Sequence, residues 1–261
     1  MNPRLRVKIG GRAFEIETGF RELAQAIKAV PGMETIIVHG GGAEISKALQ
    51  DHGRETRFID GIRVTRAEDM VIIESVLSET INTRIASWLT ESGVSCQRMS
   101  GKTGQLFLVE PMAREGRQYG FVGTIKKVNG KGVLNALKKG LVPIISPISA
   151  DENHRSFNVN ADSAAAALAA NIGCTGLVFI TDVPGVIDGG SVRRTLSVQQ
   201  ARKCIADGTI KGGMLAKMTS AFEALANQVP AVYIIQWNGK STLRDIAAGD
   251  CRSGTVLTPH T

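Results

Sequence analysis

Six short, largely apolar runs punctuate this chain, over 5–9, 35–38, 106–109, 142–146, 176–180 and 231–235. Stretches with helical periodicity lie between and beyond them, over 20–30, 43–52, 67–91, 132–139, 162–171, 197–207 and 214–227. Buried strands alternating with helices predict an α/β fold, a mainly parallel sheet covered by helices on both faces. A small β excursion interrupts the first half, with turns at 101–104 and 114–120. No repeat of fixed period and no low-complexity linker appears. A chain of 261 residues can bury one large core or two modest lobes. The chemistry of the two halves differs, which puts a lobe boundary near 173–176.

Two glycine clusters follow the first two strand signals. They are Lys8-Ile9-Gly10-Gly11 and His39-Gly40-Gly41-Gly42. Glycine lets the backbone turn sharply and approach a ligand, leaving N–H groups free to point at an anion. A helix over 43–52 would add its N-terminal N–H groups to the same place. Two such loops on neighbouring strands can hold two ends of one reacting group. The Lys8 ammonium at the edge of the first makes the anion a phosphate or a carboxylate. The usual nucleotide fingerprints are missing. Gly101-Lys102-Thr103 imitates the end of a Walker A loop, but Cys96 stands where that motif begins with glycine. No spaced G-x-G-x-x-G is present.

Four further segments carry chemistry. Arg63, just past Gly61 and between apolar neighbours, suits a bidentate grip on a carboxylate; the plain alternative is a surface pair with Glu68 or Asp69. In Asn158-Val159-Asn160-Ala161-Asp162, alternation puts Asn158 and Asn160 on one face. Asp162 then stands where a helix N-cap is expected, and its carboxylate can also orient nearby lysines. Thr181-Asp182-Val183-Pro184-Gly185-Val186 follows a buried strand, and α/β sheets bind ligands at such carboxyl ends. Finally, glycines at 208, 212 and 213 lead into a helix whose first turn is expected to carry Lys217, within reach of an anion at the helix start.

The net charge of +7 raises the question of nucleic acid. The basic residues are scattered, none are interleaved with aromatics, and aromatics make up only 5%, so an anionic small substrate is the better reading. The four cysteines, at 96, 174, 204 and 251, lack any C-x-x-C spacing and read as reduced structural thiols of a cytosolic protein. The apolar stretch over 164–180 contains Asn171, Gly173, Thr175 and Gly176 and reads as helix, turn and strand, not as a membrane span.

In this order and near these spacings, the segments resemble the amino acid kinase family over essentially the whole chain. Lys8-x-Gly-Gly, His39-Gly-Gly-Gly, Gly61-Ile-Arg-Val-Thr65, Asn158-Val-Asn-Ala-Asp162, Thr181-Asp-Val-Pro-Gly185 and Gly213-Met-x-x-Lys217 each resemble a family motif, and Gly120-Phe-Val-Gly-Thr-Ile125 and Ser146-Pro147-Ile148 look similar too. The resemblance implies an open, mainly parallel eight-stranded sheet sandwiched between helix layers, with two lobes in one domain. Residues 1–175 would bind an acyl amino acid and form the dimer, and residues 176–261 would bind the nucleotide. The implied reaction is phosphorylation of the γ-carboxylate of N-acetyl-L-glutamate by ATP, the second step of arginine synthesis. A kinase of N-succinylglutamate or of an aminoadipate-type acid, or a catalytically silent sensor, is the alternative.

The same resemblance gives the residues roles. Lys8 and Lys217 would neutralise charge on the transferring phosphoryl group and the leaving phosphate, with Asp162 holding both. Gly10, Gly11, Gly41 and Gly42 would supply N–H donors, Arg63 would clamp the α-carboxylate, and Asn158 and Asn160 would bind the N-acyl end. Thr181, Asp182, Val183, Pro184, Gly185, Val186 and Ile187, with Thr209, Ile210 and Lys211, would cradle the nucleotide. Magnesium is expected on the ATP phosphates, without protein ligands. Two features depart from the commoner pattern. Arg12 replaces a small residue, and Ile235-Gln236-Trp237-Asn238-Gly239 replaces an Asp-Gly-Arg segment. The latter resembles the short-chain version of the family. The few residues before the first strand leave no room for the helix that accompanies arginine-inhibited hexamers. A cytoplasmic homodimer, insensitive to arginine and working on small molecules without nucleic acid or membrane, is therefore expected.

Overall fold

The computed structural model of the chain describes residues 4–9, 16–114, 116–251 and 253–259. Eight strands form its main sheet: β1 (Arg4–Ile9), β2 (Glu34–His39), β3 (Cys96–Ser100), β4 (Val142–Ser146), β5 (Gly176–Thr181), β6 (Thr195–Ser197), β7 (Val232–Gln236) and β8 (Gly254–Thr258). Across the sheet they run β6-β8-β7-β5-β1-β2-β4-β3. The six from β7 to β3 are parallel. Strand β8 runs antiparallel to β7, and β6 follows β8. The open, mainly parallel eight-stranded sheet expected from the sequence is the one observed.

Successive strand residues face opposite sides of a sheet, and this splits the core in two. Ile36, Val38 and Phe179 pack with α6 (Ala161–Asn171) and α8 (Gly213–Ala226). Ile37, Val178 and Ile180 pack with α1 (Glu17–Lys28) and the long helical run at 70–91. The helices α2 (Gly42–Asp51), α5 (Lys131–Lys138), α7 (Val198–Ala206) and α9 (Thr242–Ala247) complete the layers.

Two sequence expectations need correction. The helix expected over 67–91 is not regular. It opens with a 3-10 turn, Ala67–Asp69, and a wide π turn, Ser75–Ile81, separates α3 (Met70–Glu74) from α4 (Asn82–Glu91). The turn expected over 114–120 is much shorter, because the strand Arg117–Val128 has already begun. That strand, with Phe107–Arg114, Ile148–Ala150 and Ser156–Asn158, closes into a small four-stranded barrel. Met112, Tyr119 and Val122 on its strands form a small buried cluster, and Ile59 and Ile62 from a short hairpin pack against them. The hairpin turns at Asp60-Gly61, both with positive φ (50° and 77°), the two-residue turn that Asp-Gly favours.

The parallel strands β1, β2 and β5 all end on one edge of the sheet. The N-termini of α2 and α6 meet the ends of β2 and β1 there.

Candidate active site

Lys8 stands on β1, the central strand, between Val38 of β2 and Phe179 of β5, and is buried. Its ammonium lies 2.8 Å from Asp162 Oδ1. Lys217 donates to Asp162 Oδ2 at 3.0 Å. One carboxylate, from α6, therefore bridges two ammoniums, one from β1 and one from α8, the juxtaposition the sequence suggested. The route differs from expectation in two respects. The N-cap of α6 is Asn160, not Asp162: Asn160 Oδ1 accepts from the N–H groups of Asp162 and Ser163 at 2.8 and 3.1 Å. The amide satisfies the open helix donors, which leaves the Asp162 carboxylate for the lysines. Lys217 lies in the second turn of its helix, because α8 already starts at Gly213.

Burial alone pushes the Asp162 carboxyl up, but the ion pairs with Lys8 and Lys217 outweigh it and hold the group below the ordinary carboxylate range. Burial lowers Lys8 from its ordinary value, against the opposing pull of Asp162. With all three groups ionised, the cluster carries one surplus positive charge in a poorly hydrated place. Such a surplus suits a group that gains negative charge as it reacts.

Beside this cluster, β2 ends at His39 and the glycine loop 40–42 leads into α2. Ile45 N–H closes the first turn of α2 on Gly41 O at 2.9 Å. A Cβ on Gly41 would run into the ends of the Ile81 and Leu77 side chains, so the π turn packs closely on the loop and a larger residue there would have to displace them. The first glycine loop, with Gly10, Gly11 and Arg12, lies outside the described residues.

Arg63 is buried and donates to Gly42 O at 2.8 Å, Ser46 Oγ at 2.9 Å and Thr56 Oγ1 at 3.1 Å. Its guanidinium lies 4.8 Å from the centre of the Phe58 ring. Among the described residues no carboxylate pairs with it. Glu68 and Asp69 sit instead near Arg54, at 3.4 and 3.9 Å. A buried guanidinium held only by neutral groups at the start of α2 keeps its charge for an incoming carboxylate. Asn158 belongs to the same corner: its amide donates to Thr65 Oγ1 at 3.3 Å, and that hydroxyl donates to Arg63 O at 3.2 Å. Asn160 is committed to its helix cap.

Two further loops carry the remaining predicted residues, one after β5 at 181–187 and one leading into α8 at 207–212. Thr181 pairs with Gln236, whose amide donates to Asp182 O at 3.2 Å. Val186 N–H donates to Thr255 Oγ1 at 2.8 Å, and Gly185 (φ 131°) packs against the same threonine. Pro184 lies within this loop. Thr209 N–H donates to Asp207 Oδ1 at 3.0 Å, and Ile210 is buried with its N–H on Cys204 O at 2.8 Å. Lys211 is exposed, and so are the apolar side chains of Val183, Ile187 and Leu215. Exposed apolar groups on fixed loops suit the flat face of a heterocycle.

Sequence reasoning passed over Thr65 and Asn82. Asn82 is buried within an otherwise apolar helix face, and that single polar interruption is the signal that could have found it.

The model of the "Amino acid kinase family" matches residues 4–236. The chain belongs to this family. It is 36% identical over 237 residues to an acetylglutamate kinase of Geobacillus stearothermophilus, covering 90% of each chain. It is also 36% identical over 258 residues to an acetylglutamate kinase of Bacillus pumilus, covering 98% of this chain and 97% of that one. Among solved structures, smu.665 from Streptococcus mutans superposes with a TM-score of 0.80 at 26% identity, over 99% of this chain and 100% of that one.

Proposed function

We propose that this chain is a kinase that transfers the γ-phosphoryl group of ATP to the γ-carboxylate of N-acetyl-L-glutamate, giving N-acetyl-L-glutamyl 5-phosphate and ADP. The bridging of Lys8 and Lys217 by Asp162 carries this reading. Two ammoniums side by side suit the charge that builds up in transfer, and the named relatives are acetylglutamate kinases. A carboxylate is already a nucleophile, so the site needs no general base. An oxygen of the γ-carboxylate bonds to the γ-phosphorus while the bond to the bridging oxygen of ADP breaks, and both departing and incoming oxygens carry charge. In this reading Lys8 and Lys217 neutralise the phosphoryl group and the leaving phosphate. Gly41 and Gly42, with Gly10 and Gly11, supply N–H donors, Arg63 holds the α-carboxylate, and Asn158 with Asn160 flanks the acyl end.

The nucleotide lies over Thr181 to Ile187 and Thr209 to Lys211, so residues 176–261 act as the nucleotide lobe and residues 1–175 as the acyl amino acid lobe. Magnesium accompanies ATP as part of the substrate. Asp162 faces Lys8 and Lys217 at 2.8 and 3.0 Å and would act on the nucleotide's charge through them. We further propose a cytoplasmic homodimer that binds no nucleic acid. Two exposed apolar side chains of the first lobe, Val71 (77% exposed) and Phe58 (53%), support a partner surface there. Among the described residues no helix is long and apolar enough to cross a membrane.

The test is a coupled ADP-release assay with Mg-ATP, comparing N-acetyl-L-glutamate, N-succinyl-L-glutamate and free L-glutamate, with hydroxylamine to trap the acyl phosphate. Trapped product with the acetyl substrate alone is the expected result. Preference for the succinyl acid would move the substrate, and no product with any of the three would overturn the assignment.

A further inference from the structure

Behind the glycine loop lies a chain of buried polar contacts that phosphoryl transfer, as described so far, does not use. Arg98 Nε donates to Asn82 Oδ1 at 3.2 Å. Asn82 Nδ2 faces Ile144 O at 3.0 Å, Met99 O at 3.3 Å and His39 Nε2 at 3.0 Å. These neighbours fix the amide, since turning it over would set its oxygen against two carbonyl oxygens and its N–H groups against a guanidinium. The fixed amide donates to His39 Nε2, so the imidazole proton belongs on Nδ1. His39 Nδ1 in turn lies 3.0 Å from Gly40 O. Burial pushes His39 down to about 4, in keeping with a neutral ring.

The last link is geometric. In a trans peptide the C=O and the following N–H point in opposite directions. A pinned Gly40 carbonyl therefore aims the Gly41 N–H away from the His39 ring. The π turn holds the other side of the same peptide: Leu77 and Ile81 close on Gly41, and Ser78 Oγ reaches Ser146 Oγ at 2.7 Å.

We propose that His39 is a positioning residue for phosphoryl transfer: it holds the Gly40 carbonyl so that the Gly41 N–H points at the reacting groups, and Asn82 enforces the tautomer that does this. The inference rests on the proposed role of the 40–42 loop. It differs from a purely structural role because only one ring nitrogen matters for the loop.

Two substitutions separate the nitrogens. In His39→Asn the side-chain nitrogen falls where Nδ1 was and still donates to Gly40 O. In His39→Gln the side-chain amide oxygen falls where Nε2 was, still accepting from Asn82, and no donor faces Gly40 O. His39→Asn is expected to keep kcat within about threefold of wild type. His39→Gln, although closer in size, is expected to lose about tenfold, the scale of one hydrogen bond. Asn82→Asp, which puts an acceptor against Nε2 and forces the wrong tautomer, is expected to behave like His39→Gln. Binding of Mg-ATP against Mg-ADP gives a readout free of the acyl acid: the preference for ATP should shrink in His39→Gln and Asn82→Asp, not in His39→Asn, with ADP affinity unchanged within about twofold. Equal impairment of His39→Asn and His39→Gln, or wild-type behaviour of His39→Gln, would overturn the inference. Wild-type protein that phosphorylates no N-acetyl-L-glutamate would overturn the substrate instead, and the nucleotide-binding comparison then decides this inference alone.

Discussion

Replacing Asp162 by Asn removes the negative charge from a buried cluster of two ammoniums and changes its shape little. Separations of 2.8 and 3.0 Å correspond to roughly 5–6 kcal/mol of attraction per pair at an effective dielectric near 20. Desolvation of three charges offsets much of this. What remains on deleting one partner is about 3–5 kcal/mol, because the other charges stay buried and uncompensated. Lys217, nearer the surface, can turn toward water, whereas Lys8 is held within the central strand. Urea unfolding followed by circular dichroism at pH 7 measures the loss. The deficit should also depend on pH. Without its partner, Lys8 titrates still further below its unfolded value, so the folded variant binds fewer protons than the unfolded chain up to about pH 10.4. Stability of the variant then rises with pH in that window, and the gap to wild type narrows between pH 7 and 10. A loss under about 1 kcal/mol, or a gap that stays constant over that range, would refute the reading of the cluster as a mutually dependent set of charges.

Three other outcomes are expected. Lys8→Ala and Lys217→Ala should each lower kcat by roughly 10²-fold in the ADP-release assay, the scale of one preorganised charge-stabilising donor; near-normal turnover in both contradicts the mechanism. Arg63→Ala should raise KM for the acyl acid by roughly tenfold or more with a smaller change in kcat, as loss of a charged clamp that acts in ground and transition states alike; a fall in kcat at constant KM contradicts that role. His39, buried and pushed down to about 4, has a folded value below its unfolded one near 6.5. Stability from its neutral form is therefore full above pH 6.5 and is lost as pH falls toward 4, about 3 kcal/mol in all. Urea midpoints from pH 7 to 4 should fall less steeply in His39→Asn than in wild type, and parallel curves would contradict the assignment.

The strands buried on both faces were legible because their apolar runs are uninterrupted, Val142–Ser146 to the residue. Cys96–Ser100 was not, since CQRMS at the sheet edge has neither an apolar run nor a regular alternation and is too short for a pattern to stand out. The π turn left a trace that propensity does not read. Ile73, Leu77, Ile81, Ile85 and Leu89 are all buried and recur every fourth residue. In a regular α-helix that spacing drifts by about 40° per step, so five in line require a wider turn somewhere among them. The Asp162 bridge was legible as chemistry, but its cap was misplaced: Asn160 and Asp162 are both good caps, and only the backbone decides which is the half-in residue. Arg63 stood open between two partners in the sequence. Fold geometry removes the surface pair by taking Glu68 and Asp69 to Arg54 and burying Arg63 under the loop that opens α2.

The seat of Lys8 also sets a timetable for folding. Strand β1 is made first, and its neighbour β2 soon after, but its other neighbour, β5, starts only at Gly176. Until then β1 is an open sheet edge with unpaired backbone groups, the kind of edge that recruits other chains. Closing it is a non-local step that comes late and slowly. The segment that supplies the first lysine therefore cannot be completed without the segment assigned to the nucleotide. Chains released short of residue 181 should aggregate through β1 rather than persist as a free-standing first lobe.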